Sequence, residues 1–180
     1  TLLTAGVDLP TSQRDVDAVP ARGDGIWVLV GIHPWWADTY SDETAGALAR
    51  LARAPRVVGV GEIGLDFVRG KHPETVQARA FEGMLDLAGE VGHPVLIHGD
   101  RLDDRTHAAV QAAVRGRGGR VVGAIHGFAA SRKAARAWLD LGFALSFSGV
   151  LTWDERDDLR ATAAEVPLDR LLIETDTPAP

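Results

Sequence analysis

Short apolar runs rich in β-branched residues recur along the chain, separated by segments whose apolar residues fall three and four apart. This pattern predicts parallel strands joined by helical crossovers, one unit roughly every 25 to 35 residues. The strand-like runs are Thr1 to Val7, Ile26 to Ile32, Val57 to Gly61, Val95 to Ile97, Val121 to Ile125, Phe143 to Phe147 and Leu171 to Ile173. The second is almost unbroken, as expected of a strand buried on both faces. A helix is predicted after Ser41, a suitable N-cap, with Leu48, Leu51 and Ala52 on its apolar side. A longer one runs from about Glu74 to Gly92, with Val76, Ala80, Phe81, Met84, Leu85 and Ala88 inward and Gly92 as its C-terminal cap. Further helices are predicted at Arg105 to Arg115, Ser131 to Leu141 and Asp154 to Glu165, while the crossover between the first two strands is assigned no helix. With no internal repeat and no Pro/Gly/Ser linker, residues 1–180 read as a single α/β domain.

Composition narrows the field. At 46% hydrophobic and 24% charged residues the chain is neither disordered nor membrane-spanning. It has no cysteine, which excludes a disulfide scaffold, a thiolate zinc site and a cysteine nucleophile, and sets a cytoplasmic location as the default. The net charge of −6 offers no global attraction to polyanions, so a nucleic-acid partner must be held by something local. No Gly-x-Gly-x-x-Gly follows the first strand and no Walker pattern occurs, so no nucleotide cofactor is expected.

The chemistry gathers at the strand ends. These carry His33 in Gly31-Ile32-His33-Pro34, Glu62 in Gly61-Glu62-Ile63-Gly64-Leu65-Asp66, His98 after Val95-Leu96-Ile97, His126 before Gly127-Phe128, and Asp176 in Glu174-Thr175-Asp176-Thr177-Pro178. A single histidine at a strand end is ordinary, whereas five imidazole or carboxylate positions at strand ends favour a TIM (β/α)8-type barrel over a doubly wound sheet. Nitrogen and oxygen donors suit zinc, manganese or magnesium. Two histidines with a carboxylate able to bridge are the minimum for a hydrolytic site using one or two such ions.

These motifs, with Ser146-Phe147-Ser148-Gly149 and Pro167-Leu168-Asp169-Arg170-Leu171-Leu172, stand in the order seen in one family. The sequence resembles the TatD-type metal-dependent deoxyribonucleases, within the amidohydrolase superfamily. The resemblance implies two divalent ions (Mg2+, Mn2+ or Zn2+), bridged by Glu62. His98 and His126 would bind one ion, and Asp176 would bind the other and handle the proton of the attacking water, so that Glu62 and Asp176 are the catalytic pair. It leaves His33 to the substrate phosphate or outside the ligand set. The ions would supply the positive potential that the acidic chain lacks, pointing to DNA ends or single strands cut by a monomer, in repair or degradation. Trp35 and Trp36 are candidates for stacking a base. Arg101, with Arg105, Arg132 and Lys133, is a candidate for flanking phosphates. Gly61, Gly64 and Gly149 are expected to let backbone pass close to the site.

Three departures from the family pattern stand out. The family's first strand carries His-x-His, but the six histidines here lie at 33, 72, 93, 98, 107 and 126. Asp100 occupies the place of a family arginine, with Arg101 following it, and the chain ends at Pro180 where the family continues. A barrel of this type needs about 250 residues. The chain is therefore expected to hold strands 2 to 8, without the first strand-helix unit and the last helix, and to fold poorly alone. A 3′-to-5′ exonuclease is the leading function. The alternatives are an ester or amide hydrolase, such as one editing aminoacyl-nucleic acids, and an inactive homologue that binds a partner.

Overall fold

Each apolar run becomes a strand in the computed structural model, which describes residues 1–175, the side chain of Arg22 apart. The strands are β1 (Leu2–Ala5), β2 (Ile26–Val30), β3 (Val57–Ile63), β4 (Val95–His98), β5 (Gly123–His126), β6 (Ala144–Phe147) and β7 (Leu171–Ile173). They form one parallel sheet in which spatial order follows chain order from β1 to β7. A doubly wound sheet reverses direction at a switch point, whereas strict succession is the order of a β/α barrel. Among the described residues no ladder joins β1 to β7, so the sheet is a barrel wall with two edges.

The helices are α1 (Leu9–Ala18), α2 (Asp42–Leu51), α3 (Glu74–Val91), α4 (Asp104–Arg115), α5 (Arg132–Asp140) and α6 (Asp157–Ala164). Ser41 caps α2, and Gly92 ends α3 in the left-handed region at φ 71°. Helix α1 is the element the apolar pattern did not reveal. Its start is well marked, since Asp8 Oδ1 accepts from the Thr11 N–H at 2.9 Å and Thr11 Oγ1 accepts from the Asp8 N–H at 3.1 Å. Its inward residue, however, is Ser12, fully buried with Oγ accepting from the Gly31 N–H at 3.3 Å. A polar residue on the core face hides the helical period. Helix α6 starts three residues later than expected, because Gly149–Thr152 forms a short 3-10 turn before it.

The core is a sandwich of sheet and helices. Val28, Val30, Val60, Ile63, Ile97, Ile125 and Leu145 of the strands are buried, as are Leu48, Phe81, Met84, Leu85 and Trp138 of the helices. Both edge strands expose apolar side chains, with Leu2 67% and Ile173 83% accessible. Close packing of β3 on β4 requires glycine: a Cβ at Gly61 would lie 2.7 Å from Leu96 Cβ, and Gly64 has φ +147° against His98. At Gly149 a Cβ would meet nothing within 4 Å, so the expected close approach is not found there. Because the strands are parallel, their C-terminal ends emerge on one face, and that face carries the site.

Candidate metal centre

Three strand ends bring Glu62, His98 and His33 together, the one such group of possible ligands among the described residues, with one donor atom from each lying within 4.8 Å of the others. His98 Nδ1 is 2.7 Å from Glu62 Oε1 and 3.2 Å from His33 Nε2, and His33 Nε2 is 3.8 Å from Glu62 Oε1. A tetrahedral ion bound at about 2.0–2.1 Å separates its ligand atoms by about 3.3 Å, so these spacings suit a divalent cation. Burial alone would raise the Glu62 carboxyl, but the His98 hydrogen bond and the charges of His98, His126 and His33 bring it down to about 2. Burial disfavours a charged His98, yet Asp66 and Glu62, set against its two ring nitrogens, raise it to about 9. With no ion bound, His98 is thus an imidazolium between two carboxylates.

His33 differs from the other two. Burial lowers its imidazole to about 4, leaving it neutral at pH 7. Its Nδ1 accepts from the Trp35 backbone N–H at 3.2 Å, which leaves the ring proton on Nε2. With no ion bound, the atom facing Glu62 and His98 is therefore a donor, suited to a phosphoryl oxygen. Glu62 and His98, with His33, are the candidate ligands among the described residues.

Behind His98 lies Asp66, fully buried. Its Oδ1 accepts from the N–H groups of Val68 and Arg69 at 3.0 and 2.8 Å, and its Oδ2 accepts from the Trp35 indole at 2.9 Å. His98 Nε2 stands 3.5 Å from Asp66 Oδ2 without a hydrogen bond. Burial would raise the Asp66 carboxyl, but His98, the Arg69 N–H and the Trp35 indole hold it well below the usual carboxylate range. Trp35 is tied down by that bond, and the Arg69 guanidinium lies 5.3 Å from its ring centre. Trp36 is the more exposed of the pair.

Across the sheet, His126 is in register with His98. It joins no three-ligand group among the described residues, but it stands close enough to Glu62 that a protonated ring there would help lower the carboxyl. His126 Nδ1 is 2.7 Å from Glu174 Oε2, and Glu174 Oε1 accepts from the Gly127 N–H at 2.7 Å. Arg101 is exposed on the loop after β4, in the left-handed region at φ 55°, with its guanidinium 5.9 Å from the centre of the Trp153 ring. Arg105 and Arg132 are engaged in ion pairs with Glu74 at 2.7 Å and Glu165 at 3.0 Å. Asp176 lies outside the described residues.

Comparison with known proteins decides the family. The model of the family described as TatD related DNase matches residues 1–179. The chain belongs to this family. A 3′-5′ ssDNA/RNA exonuclease TatD of Edwardsiella piscicida is 35% identical over 179 residues, which cover 98% of this chain and 67% of the relative. An uncharacterized metal-dependent hydrolase, YabD of Bacillus subtilis, is 34% identical over 98% of this chain and 68% of its own length. The crystal structure of YJJV, a TatD homolog from Escherichia coli, superposes with a TM-score of 0.84 at 29% identity, over 97% of this chain and 66% of that one. The chain thus spans about two thirds of the length of these relatives.

Within this TatD-related chain, three residues named from the sequence, Glu62, His98 and His33, form one cluster, with His126 on the neighbouring strand end. Trp35 packs against His33 and is tied to Asp66, whereas Arg101 is exposed on the loop after β4, beside Trp153. The sequence reading assigned no role to Asp66 or Glu174, although both stand inside the quoted motifs. The available signal was an acidic residue four positions after one ligand candidate and two before another.

Proposed function

We propose that the chain is a metal-dependent phosphodiesterase that trims single-stranded DNA from the 3′ end. The observation that carries this reading is the convergence of Glu62 and His98, both ligand-competent, with His33, a neutral donor, on one face of a TatD-related barrel. In the proposed site Glu62, His98, His126 and Asp176 would hold two divalent ions, and Asp176 would take the proton of the attacking water. Ions bound there acidify water and offset charge on the phosphoryl oxygens. His33 Nε2–H donates to a phosphoryl oxygen, and its low pKa keeps that donor uncharged across neutral pH. Trp36, more exposed than Trp35, is better placed to stack an unpaired base, and Arg101 to meet a flanking phosphate. We place this activity in the cytoplasm, in DNA repair or degradation, and read the protein as a monomer.

The test is release of mononucleotides from a 3′-labelled single-stranded oligonucleotide with added Mn2+ or Mg2+. Activity should vanish with chelator and fall by more than about 100-fold in Glu62→Ala, beyond the range typical of changes outside the ligand set. Turnover of esters or amides in place of DNA would reassign the substrate class.

A further inference from the structure

We propose that Glu174 is a positioning residue that holds the His126 ring with its proton on Nδ1, and so presents Nε2 to the metal centre. The inference rests on the metal-centre reading above for its functional meaning, and on hydrogen-bond geometry for its content. Glu174 is the first residue after β7, and its own N–H donates to Phe147 O at 3.1 Å, which fixes it against β6. From there one carboxylate oxygen takes the Gly127 N–H at 2.7 Å and the other meets His126 Nδ1 at 2.7 Å. Both side chains are largely shielded, at 16% and 13% accessible. An ionised carboxylate only accepts, so the nitrogen facing it carries the proton, and the lone pair of a neutral ring then falls on Nε2. Carboxylates that grip the far nitrogen of a metal-binding histidine fix its tautomer and ring orientation.

The neighbouring strand shows why such a device is needed. His98 turns Nδ1 toward Glu62 and sets Nε2 against Asp66. His126, in register beside it, commits Nδ1 to Glu174. Two adjacent histidines therefore use opposite nitrogens, and each has its own carboxylate to enforce the choice.

The competing account is that Glu174 merely caps the backbone turn at Gly127. Glu174→Gln separates the two. If the amide oxygen keeps the Gly127 N–H, the NH2 group faces His126 Nδ1 and donates to it, which drives the ring proton to Nε2. A capping role alone predicts no such reversal. The experiment is long-range 1H–15N correlation of the histidine rings in chelator-treated protein near neutral pH, followed by calorimetric titration with Mn2+. The expected result is an Nδ1–H tautomer of His126 in the parent protein and an Nε2–H tautomer in Glu174→Gln, with Mn2+ affinity reduced by about 10- to 100-fold. An Nε2–H tautomer in the parent, or an unchanged tautomer with affinity within twofold in the variant, overturns the proposal. Glu174→Ala, if it folds, should give a mixture of tautomers. The ring spectra require neither ion nor turnover, so a protein that binds no Mn2+ or cleaves no DNA defeats the functional reading while the tautomer still decides this one.

Discussion

On the β2–β4 side of the centre, Glu62 and His98 stand on strands with neighbours on both sides, and the supporting Asp66 is fully buried and holds three hydrogen bonds. On the β5–β7 side, the support for His126 comes from Glu174, which follows a three-residue strand at the sheet edge whose Ile173 is 83% accessible. The two sides also differ in charge. The first traps an imidazolium between carboxylates. Behind the second, on α4, lies His107, buried, with Nδ1 accepting from the Trp138 indole at 3.2 Å, and lowered by burial to about 4. One side is thus enforced by the core and by paired charge, and the other by a carboxylate reaching in from an edge. Similar residue types in one motif series need not be equally rigid.

The comparison breaks first at Asp66. Asp66→Ala removes the acceptor of two backbone N–H groups and an indole, and leaves the charge on His98 half-compensated. It should cost about 3–5 kcal/mol of stability by denaturant titration, as expected for one partner lost from a buried pair. If Glu174→Ala costs as much, the contrast between the two sides does not hold.

The pH dependence of the chelator-treated protein should carry both signatures. For His98, raised from 6.5 to about 9, the stabilisation is complete below pH 6.5 and is lost as pH rises through 9. For His107, lowered from 6.5 to about 4, stability falls as pH drops from 6.5 toward 4, because the unfolded chain takes up the proton first. Each spans about 3 kcal/mol by linkage. His107→Gln should remove its share of the acid-side loss and leave the alkaline side as it was, as read from unfolding midpoints across pH. His33, also lowered to about 4, should keep part of the acid-side slope in that variant.

The smallest effect expected is that of Trp35→Phe, which deletes the indole bond to Asp66 but keeps the aromatic ring. A cost of about 1 kcal/mol is expected, and a neutral result in thermal unfolding would place the rigidity of this side in Arg69 and the backbone bonds instead.

Strand number, order and the strand-end positions of the candidate ligands were legible because buried parallel strands read as continuous apolar runs and their ends carry short motifs. Glu62 and His98 could be named from Gly61-Glu62 and Ile97-His98 alone. Helix α1 was not legible, since its core-facing residue is a serine chosen for contact with Gly6 and Gly31, not for hydrophobicity. The difference between His33 and His98 came from the family resemblance and not from the local apolar pattern. Both end apolar runs, and the path of the Trp35 backbone shows that one ring is a donor while the other faces Glu62 with the nitrogen a cation would use. Asp66 and Glu174 went unassigned for a related reason: a carboxylate's role behind a histidine depends on which ring nitrogen it meets, and spacing along the chain does not carry that information.

The brevity of β7 bears on how firmly Glu174 is held. Among the described residues its three positions pair with β6 alone, and so short a ladder has few backbone bonds to resist local opening. Opening there would carry Glu174 away from His126 and free the ring to exchange its tautomer, whereas Glu62 and His98 stand on strands paired on both sides. Of the two histidines in register, His126 is the one whose orientation is coupled to the pairing of a three-residue strand.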